Sequence, residues 1–380
     1  MQFKVNSKEL EKVISKVFPG VPSRTPVQIL ENFLFILKDG VLTVYATDLE
    51  LSLKSSISVV SDGDFEGVVP ARLFYDTIRS LDDTSITIYV EDRNRLRVDW
   101  EKGEVTISYI DSSEFPEIPS FPTSENQDME IFSFSMKGTE LKYALDKTSF
   151  AISKEEIRPA MMGTLFEFSE EGLRFVATDG HRLVNILFTN LSNISTEATG
   201  NFIVAGNVTS ILQKVLDERE VKIYFSQSHA TFILNDMELI ARLISERYPD
   251  YKAVIPLENE YTLIVSPKEL LASVKRMMLF TEIKMRKVKL SLSHDKVEVS
   301  AEDIDLGASG KEEVAVAYDG EPMEIGFNAT YLSDVLSHLN DNEEVHFKLH
   351  TPNKAVIVYP KEQKENYELV MLLMPVRLNR

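Results

Sequence analysis

"VNSKELEKVISKVF", residues 5–18, returns twice further along the chain, as "MKGTELKYALDKTSF" at 136–150 and "VSPKELLASVKRMMLF" at 265–280. Each stretch carries a Glu-Leu pair, and the marker leucines Leu10, Leu141 and Leu270 lie 131 and 129 residues apart. In the first, Leu10, Val13, Ile14, Val17 and Phe18 follow the i, i+3, i+4, i+7, i+8 rule for one buried helical face. The third opens on Ser266-Pro267-Lys268-Glu269, a capping box with proline at the first helical position. Lys137 stands in the middle copy where Asn6 and Ser266 stand in the others, so that helix is expected to start less firmly. A repeat of this length is a whole domain, and 380 residues hold three of them.

The rest of each copy follows the same order. A strand, a tight turn, a second strand and an acid recur in "FLFILKDGVLTVYATD" (33–48), "LFEFSEEGLRFVATD" (165–179) and "VKLSLSHDKVEVSAED" (288–303), with the acids at Asp48, Asp179 and Asp303. A second helix is expected over "PARLFYDTIRSL" (70–81), "GNVTSILQKVL" (206–216) and "NATYLSDVLSHL" (328–339). Proline turns close the copies at 115–119, 248–256 and 374–378. Alternating stretches such as Ile86–Val90 and Val356–Val358 supply about eight strands per copy. The expectation is an α+β chain of three tandem two-helix, antiparallel-sheet domains. The joints are placed near Pro122 and Pro256, giving domains 1–122, 123–256 and 257–380, with 120–130 as a linker.

Composition narrows the function. With no cysteine, disulfides, thiolate nucleophiles and sulfur-ligated zinc are excluded. Met1-Gln2-Phe3-Lys4 runs straight into a helical pattern without a basic-then-apolar leader, and no run of 18 apolar residues occurs, so a soluble cytoplasmic protein without a membrane partner is expected. A formal charge of −19 speaks against nucleic acid only if it is evenly spread. The six helical windows together carry +5, and five of the six are positive. Lys8, Lys12 and Lys16 lie on one stripe opposite the Leu10/Val13/Ile14 face. Lysines on one exposed helix commonly only solubilise it. Helices grouped around a hole would instead make a positive channel in a negative body.

The whole chain resembles the bacterial DNA polymerase III beta subunit family, the replicative sliding clamps. The resemblance rests on "VFPGVPSRTPVQIL" (17–30), "ATDLEL" (46–51), "VPARLF" (69–74), "ATDGHRL" (177–183), "YPDY" (248–251), "MEIGFNATYLSDVL" (323–336) and "MPVRL" (374–378), in this order and spacing. It implies the DNA clamp fold in a six-domain ring, a head-to-tail homodimer around double-stranded DNA. It further implies a non-catalytic processivity factor without cofactor or metal. Its partners would be the DNA polymerase III catalytic subunit, a clamp loader, and other polymerases and repair proteins.

The same resemblance assigns residues. A pocket for a short peptide containing glutamine and apolar residues would comprise Met161, Thr178, Gly180, His181, Arg182, Leu183, Pro249 and Val254, with Asn328, Tyr331, Leu372, Met374, Pro375, Val376 and Arg377 from the third domain and tail. Met161 and Val254 equally fit interdomain core. Arg24, Lys154 and Arg158 would touch DNA, with Lys8, Lys12, Lys16, Arg72 and Arg79 supplying a diffuse field. The subunit joint would set Leu279 and Phe280 against Val105, Thr106 and Ile107, although Leu279 or Phe280 also fits plain core. Two departures stand out: Val376 where methionine is common, and Asn379-Arg380 beyond the usual end.

The four residues Gly180-His181-Arg182-Leu183 have no counterpart in the first and third copies, whereas Asp179 is shared and is expected to cap its turn. As catalysis the group is poor, because nothing in the sequence supplies a nucleophile and an orienting acid around His181. No phosphate loop, nucleophile elbow or His-Glu-x-x-His motif occurs. His346 and His350 lie in a stretch that alternates like a strand, and Glu302, Asp303 and Asp305 read as solvated sheet edge rather than metal ligands. The rival reading is an acidic interaction scaffold that does not encircle DNA.

Overall fold

The computed structural model describes residues 1–118, 131–189 and 200–378. The linker read at 120–130, the joint at Pro122 and Asn379-Arg380 fall outside the described residues. Among them are six α-helices: α1 Ser7–Val17, α2 Ala71–Ser80, α3 Gly138–Thr148, α4 Gly206–Val215, α5 Pro267–Met277 and α6 Ala329–Ser337. Each lies within two residues of its expected window. In α1 Leu10, Val13, Ile14 and Val17 of the foreseen stripe are buried together with Ser7, and Phe18 is half-buried just past the helix end. The Asn6 side chain accepts from the Lys8 and Glu9 amides at 2.9 and 3.1 Å, a cap worth about 1 kcal/mol.

The start of α3 corrects one expectation. The Gly138 amide donates to the Arg219 carbonyl at 2.7 Å, and a Cβ on Gly138 would come within 2.4 Å of the Asp217 carbonyl. Backbone docking that only glycine permits helps fix the start of this helix, without any part played by the Lys137 side chain in that contact. The chain start is a second correction. Gln2–Asn6 is a strand with Phe3 and Val5 turned inward, paired with Ser85–Glu91, and it precedes α1 as Phe132–Lys137 precedes α3 and Tyr261–Val265 comes before α5.

Among the described residues every strand pairing is antiparallel. One sheet runs Val60–Ser61, Gln2–Asn6, Ser85–Glu91, Arg95–Trp100, Gly103–Ser108. A second holds eight strands, ending at Phe132–Lys137 and Phe65–Pro70, and a third holds twelve, ending at Asn201–Ala205 and Met323–Asn328. The two larger sheets run across the copies. Met237–Arg242, the last strand of the second copy, pairs with Leu51–Ser58 of the first, Leu239 opposite Leu53. Tyr367–Leu373, the last strand of the third, pairs with Arg182–Phe188 of the second over seven residues.

This pairing decides how the chain folds into compact units. Among the described residues the three copies pack as two compact units: one from stretches within Met1–Thr139 and Lys214–Leu243, the other from stretches within Glu140–Ser192, Thr199–Gln213 and Ile244–Arg380. In the first unit α1 packs on α2 and on Leu51–Ser58. Phe35 meets Phe74 edge-on at 5.1 Å and Phe18 stacks on Tyr75 at 4.7 Å, contacts worth about 1 kcal/mol each beyond their buried area. In the second, α5 packs on α6, Gln213 of α4 donates to Asp146 of α3 at 2.7 Å, and Phe166 joins Phe175 and Phe202 at 4.6 and 4.7 Å. No helix among the described residues is long and apolar enough to cross a membrane.

Candidate functional site

The shared acid builds the same turn in the first two copies. Thr47 Oγ1 donates to the Leu51 carbonyl at 2.7 Å and accepts from the Leu49 amide at 3.1 Å, while Asp48 Oδ1 accepts from Glu50 and Leu51 at 3.0 and 2.8 Å. Thr178, Asp179, Gly180, His181 and Arg182 repeat these four bonds at 2.7, 3.1, 2.9 and 3.0 Å. The residue after each acid has positive φ, 77° at Leu49 and 85° at Gly180. Asp303 caps the third copy's turn through the Leu306 amide at 3.1 Å and is buried, so it is not the solvated edge expected of it; Glu302 and Asp305 are exposed.

The Asp179 turn forms the lip of a cavity of about 910 Å³ within the second unit. Its floor joins Leu183 of one strand to Leu372 of the neighbouring strand, which face each other in register, with Met161 and Thr178 beside them. Pro249, Tyr251, Ala253, Val254, Pro256 and Leu257 make an apolar wall, and Met374 closes the end. Tyr251 is held there by donating to Glu167 at 2.5 Å, and burial first, then that carboxylate, pushes its phenol well above the usual range. Tyr248 packs below with Leu165, Val176 and Ile203, its phenol likewise raised by burial. Both tyrosines stay neutral and act as structure.

Of the residues assigned by resemblance, Met161, Thr178, Gly180, Arg182, Leu183, Pro249, Val254, Leu372 and Met374 line this cavity. Met161 and Leu183 are buried, whereas Val254 is exposed and therefore not core. His181, Asn328, Tyr331, Pro375, Val376 and Arg377 are not in the lining. His181 stacks on Tyr331 at 5.6 Å, and Asn328 caps α6 through the Thr330 and Tyr331 amides at 2.9 and 3.3 Å. The Met374 amide donates to the His181 carbonyl at 2.8 Å, and the Val376 amide donates to the Gly326 carbonyl at 2.8 Å, so the tail lies against Met323–Asn328. Arg158, assigned to DNA, borders the cavity, and a Cβ on Gly180 would sit 3.0 Å from its Nη1. Asp250, Glu258, Lys354 and Ala355 complete the lining; the sequence reading missed these four and also Tyr251, Ala253, Pro256 and Leu257. Asp250 lies in the quoted "YPDY", but nothing local marks Lys354 or Ala355.

The remaining assignments are scattered by comparison. Lys12, Arg24 and Lys154 are exposed, and none of them forms an ion pair among the described residues. Lys8 pairs with Glu11 at 2.9 Å, Lys16 with Asp236, and Arg79 with Asp76 at 3.2 Å, while Arg72 lies 5.7 Å over the Phe18 ring. Leu279 is 78% exposed, so it is not core. Phe280 is half-buried against Gly310, whose Cβ would lie 3.1 Å from its ring. Val105 is half-buried and Thr106 exposed on the edge strand Gly103–Ser108, but Ile107 is buried in the first unit's core and turns away from any partner. No group of three or more His, Asp or Glu side chains among the described residues is placed to hold a metal ion. His346 lies in the strand Val345–Leu349, as its alternating stretch implied.

Family models for the DNA polymerase III beta subunit match three successive parts of the chain: its N-terminal domain at residues 1–119, its central domain at 135–250 and its C-terminal domain at 252–377. The chain is 30% identical over 383 residues to the beta sliding clamp of Pseudomonas aeruginosa and 29% identical over 384 residues to that of Vibrio cholerae, covering 100% of each chain in both cases. Among solved structures, a sliding clamp from Bartonella birtlesii bound to griselimycin is similar with a TM-score of 0.92 at 30% identity over 100% of both chains. The Pseudomonas aeruginosa clamp bound to the same compound gives 0.90 at 29% identity, again over 100% of both.

Proposed function

The chain belongs to the DNA polymerase III beta subunit family, and on that footing we propose that it is a DNA sliding clamp, two copies closing head to tail into a six-domain ring around duplex DNA. It catalyses nothing itself and tethers the DNA polymerase III catalytic subunit for processive synthesis. One observation carries this reading. Both joins between copies use the same device, the last strand of one copy laid against the fourth strand of the copy before it, as Met237–Arg242 on Leu51–Ser58 and Tyr367–Leu373 on Arg182–Phe188. Among the described residues two strands are left over: Gly103–Ser108, the last of the first copy, ends its sheet, and the first part of Ala308–Tyr318, the fourth strand of the third copy, pairs only with Lys296–Asp303. Joining these between two chains completes the series and hides edges otherwise open to aggregation. Leu279 and Phe280 lie beside that leftover strand and would meet Val105 and Thr106, with Ile107 as support from within.

The joints between copies remain placed near residues 122 and 256. Helices carrying +5 in a chain of −19 suit a ring whose hole is positive and whose body repels nucleic acid. Lys12, Arg24 and Lys154 are the cations best presented to DNA, Lys8, Lys16, Arg72 and Arg79 contribute a diffuse field, and few tight phosphate contacts are wanted in a body that slides. The cavity beside the Asp179 turn would take a linear peptide from the polymerase, the clamp loader and repair proteins, its methionines and leucines adapting to several partners. A closed ring needs an ATP-driven loader, and the cytoplasm is where this work is done.

The test loads the protein onto nicked circular DNA with a compatible loader and ATP, isolates the complex in moderate salt, and then cuts the circle. Protein retained on circles and lost on linearisation supports encirclement. Protein that never associates, or that stays after linearisation, overturns it.

A further inference from the structure

The Asp48 turn contains every bond of the Asp179 turn with a leucine, Leu51, at the position of Arg182. The turn therefore does not need an arginine. Yet Arg182 is only 8% exposed and each nitrogen of its guanidinium has a partner. Nε donates to Asp179 at 3.1 Å, Nη1 to Asp334 of α6, and Nη2 to the Phe150 carbonyl at 2.6 Å, just past the end of α3. The rings of Phe150 and Tyr331 cover it at 5.1 and 4.7 Å. Asp334 lies one helical turn beyond Tyr331, and Tyr331 stacks on His181. The His181 carbonyl in turn accepts the amide of Met374 at the cavity's end.

We propose that Arg182 is a positioning residue rather than a peptide contact: it staples the Asp179 turn, the end of α3 and α6 together, and so fixes the distance between the Gly180 lip and Met374. The proposal rests on the peptide-pocket reading for its consequence, while its geometry stands apart from it. The planar guanidinium is what the place requires. Lysine keeps the charge but offers one nitrogen, which cannot reach Asp179, Asp334 and the Phe150 carbonyl from one position or lie flat between two rings. The staple also couples the third copy's helix to the second copy's turn, so partner affinity should respond to a residue that the cavity does not contain. Asp334 is that residue.

The experiment measures binding of a fluorescein-labelled pentapeptide of glutamine, leucine and phenylalanine to the full chain carrying Asp334→Asn, Arg182→Lys, or both. Losing one charge-assisted bond to a buried guanidinium should weaken binding about tenfold in each single variant. The double variant should be no weaker than the worse single one, because both changes break one unit. Amide exchange at His181, Arg182 and Met374 should quicken in both single variants, while that of the Gln2–Asn6 strand stays unchanged. Wild-type affinity in Asp334→Asn, recovery by lysine, or full additivity in the double variant would each mean that Arg182 acts on the peptide directly, and overturn the proposal. If the wild type binds no peptide, the pocket reading fails while exchange still decides the staple: unchanged rates at His181 and Met374 sink it.

Discussion

The turns at Asp48 and Asp179 are the same object used twice. Both close with a threonine hydroxyl and an aspartate oxygen taking up the same four backbone groups. At Asp48 the positive-φ position is Leu49, which points into solvent, 58% exposed. At Asp179 it is Gly180, whose missing side chain leaves room for Arg158, and the next two residues are tied to α6 and to the tail. A cavity wall has been made by keeping the turn and changing what surrounds it. The acid is architecture in both places, and the difference lies in Gly180, His181 and Arg182.

The largest effect should come from taking the surroundings away. Deleting residues 374–380 removes the Met374 amide from the His181 carbonyl and strips the second turn of its tail contact, leaving its ties to α6; peptide binding should vanish while the homodimer, seen by sedimentation, persists. Unchanged peptide affinity would refute the pocket. Next come the acids. Asp48→Ala strands two backbone amides and should cost about 1–2 kcal/mol in denaturant unfolding. Asp179→Ala also deprives the Arg182 guanidinium of a carboxylate and should cost about 2–4 kcal/mol. Equal losses would mean that the two turns do not differ as described.

The positive-φ residues give a smaller pair of opposite sign. Gly180→Ala should lose about 1 kcal/mol and weaken peptide binding, whereas Leu49→Gly, relieved of left-handed strain, should be neutral or gain up to about 1 kcal/mol. A gain from the alanine would break the comparison. The smallest effect is a pH slope around the second turn. Burial first, opposed by its bond to the Asp334 carbonyl, holds the His338 imidazole below its ordinary value of 6.5. The unfolded chain therefore takes up the proton first, and stability should fall as pH drops through about 6.5, levelling once the folded form is protonated too. His338→Gln should flatten the thermal midpoint between pH 7.5 and 5.5, and an unaltered slope would remove His338 from the account.

What the sequence showed were features written locally. Helical stripes repeat every three or four residues, so all six helices were legible to within two residues, and so was the role of Asp179, since an acid after a strand can reach amides two and three residues on. The strands before α1, α3 and α5 were missed because five or six alternating residues running into a longer helical stripe give a weak signal. Strand partners across the copies were not legible, as nothing in Leu51–Ser58 names Met237–Arg242 almost two hundred residues away. The same distance explains the cavity: Met161, Gly180 and Leu372 came from family resemblance, while Lys354 and Ala355 had no signal at all. Ile107 was misjudged because a strand's two faces look alike until one is packed.

The pairing of copies through shared sheets has a consequence for anyone who would cut this chain into modules. The family boundaries near residues 119–135 and 250–252 divide the sequence, but the second copy's Met237–Arg242 completes the first unit's sheet while its Arg182–Phe188 belongs to the other. An excised middle domain would expose both strands as raw edges, and each neighbour left behind would lose a strand it depends on. The unit of inheritance and the unit of packing are different here, and a cut placed by the repeat alone would pass through sheets that the copies share.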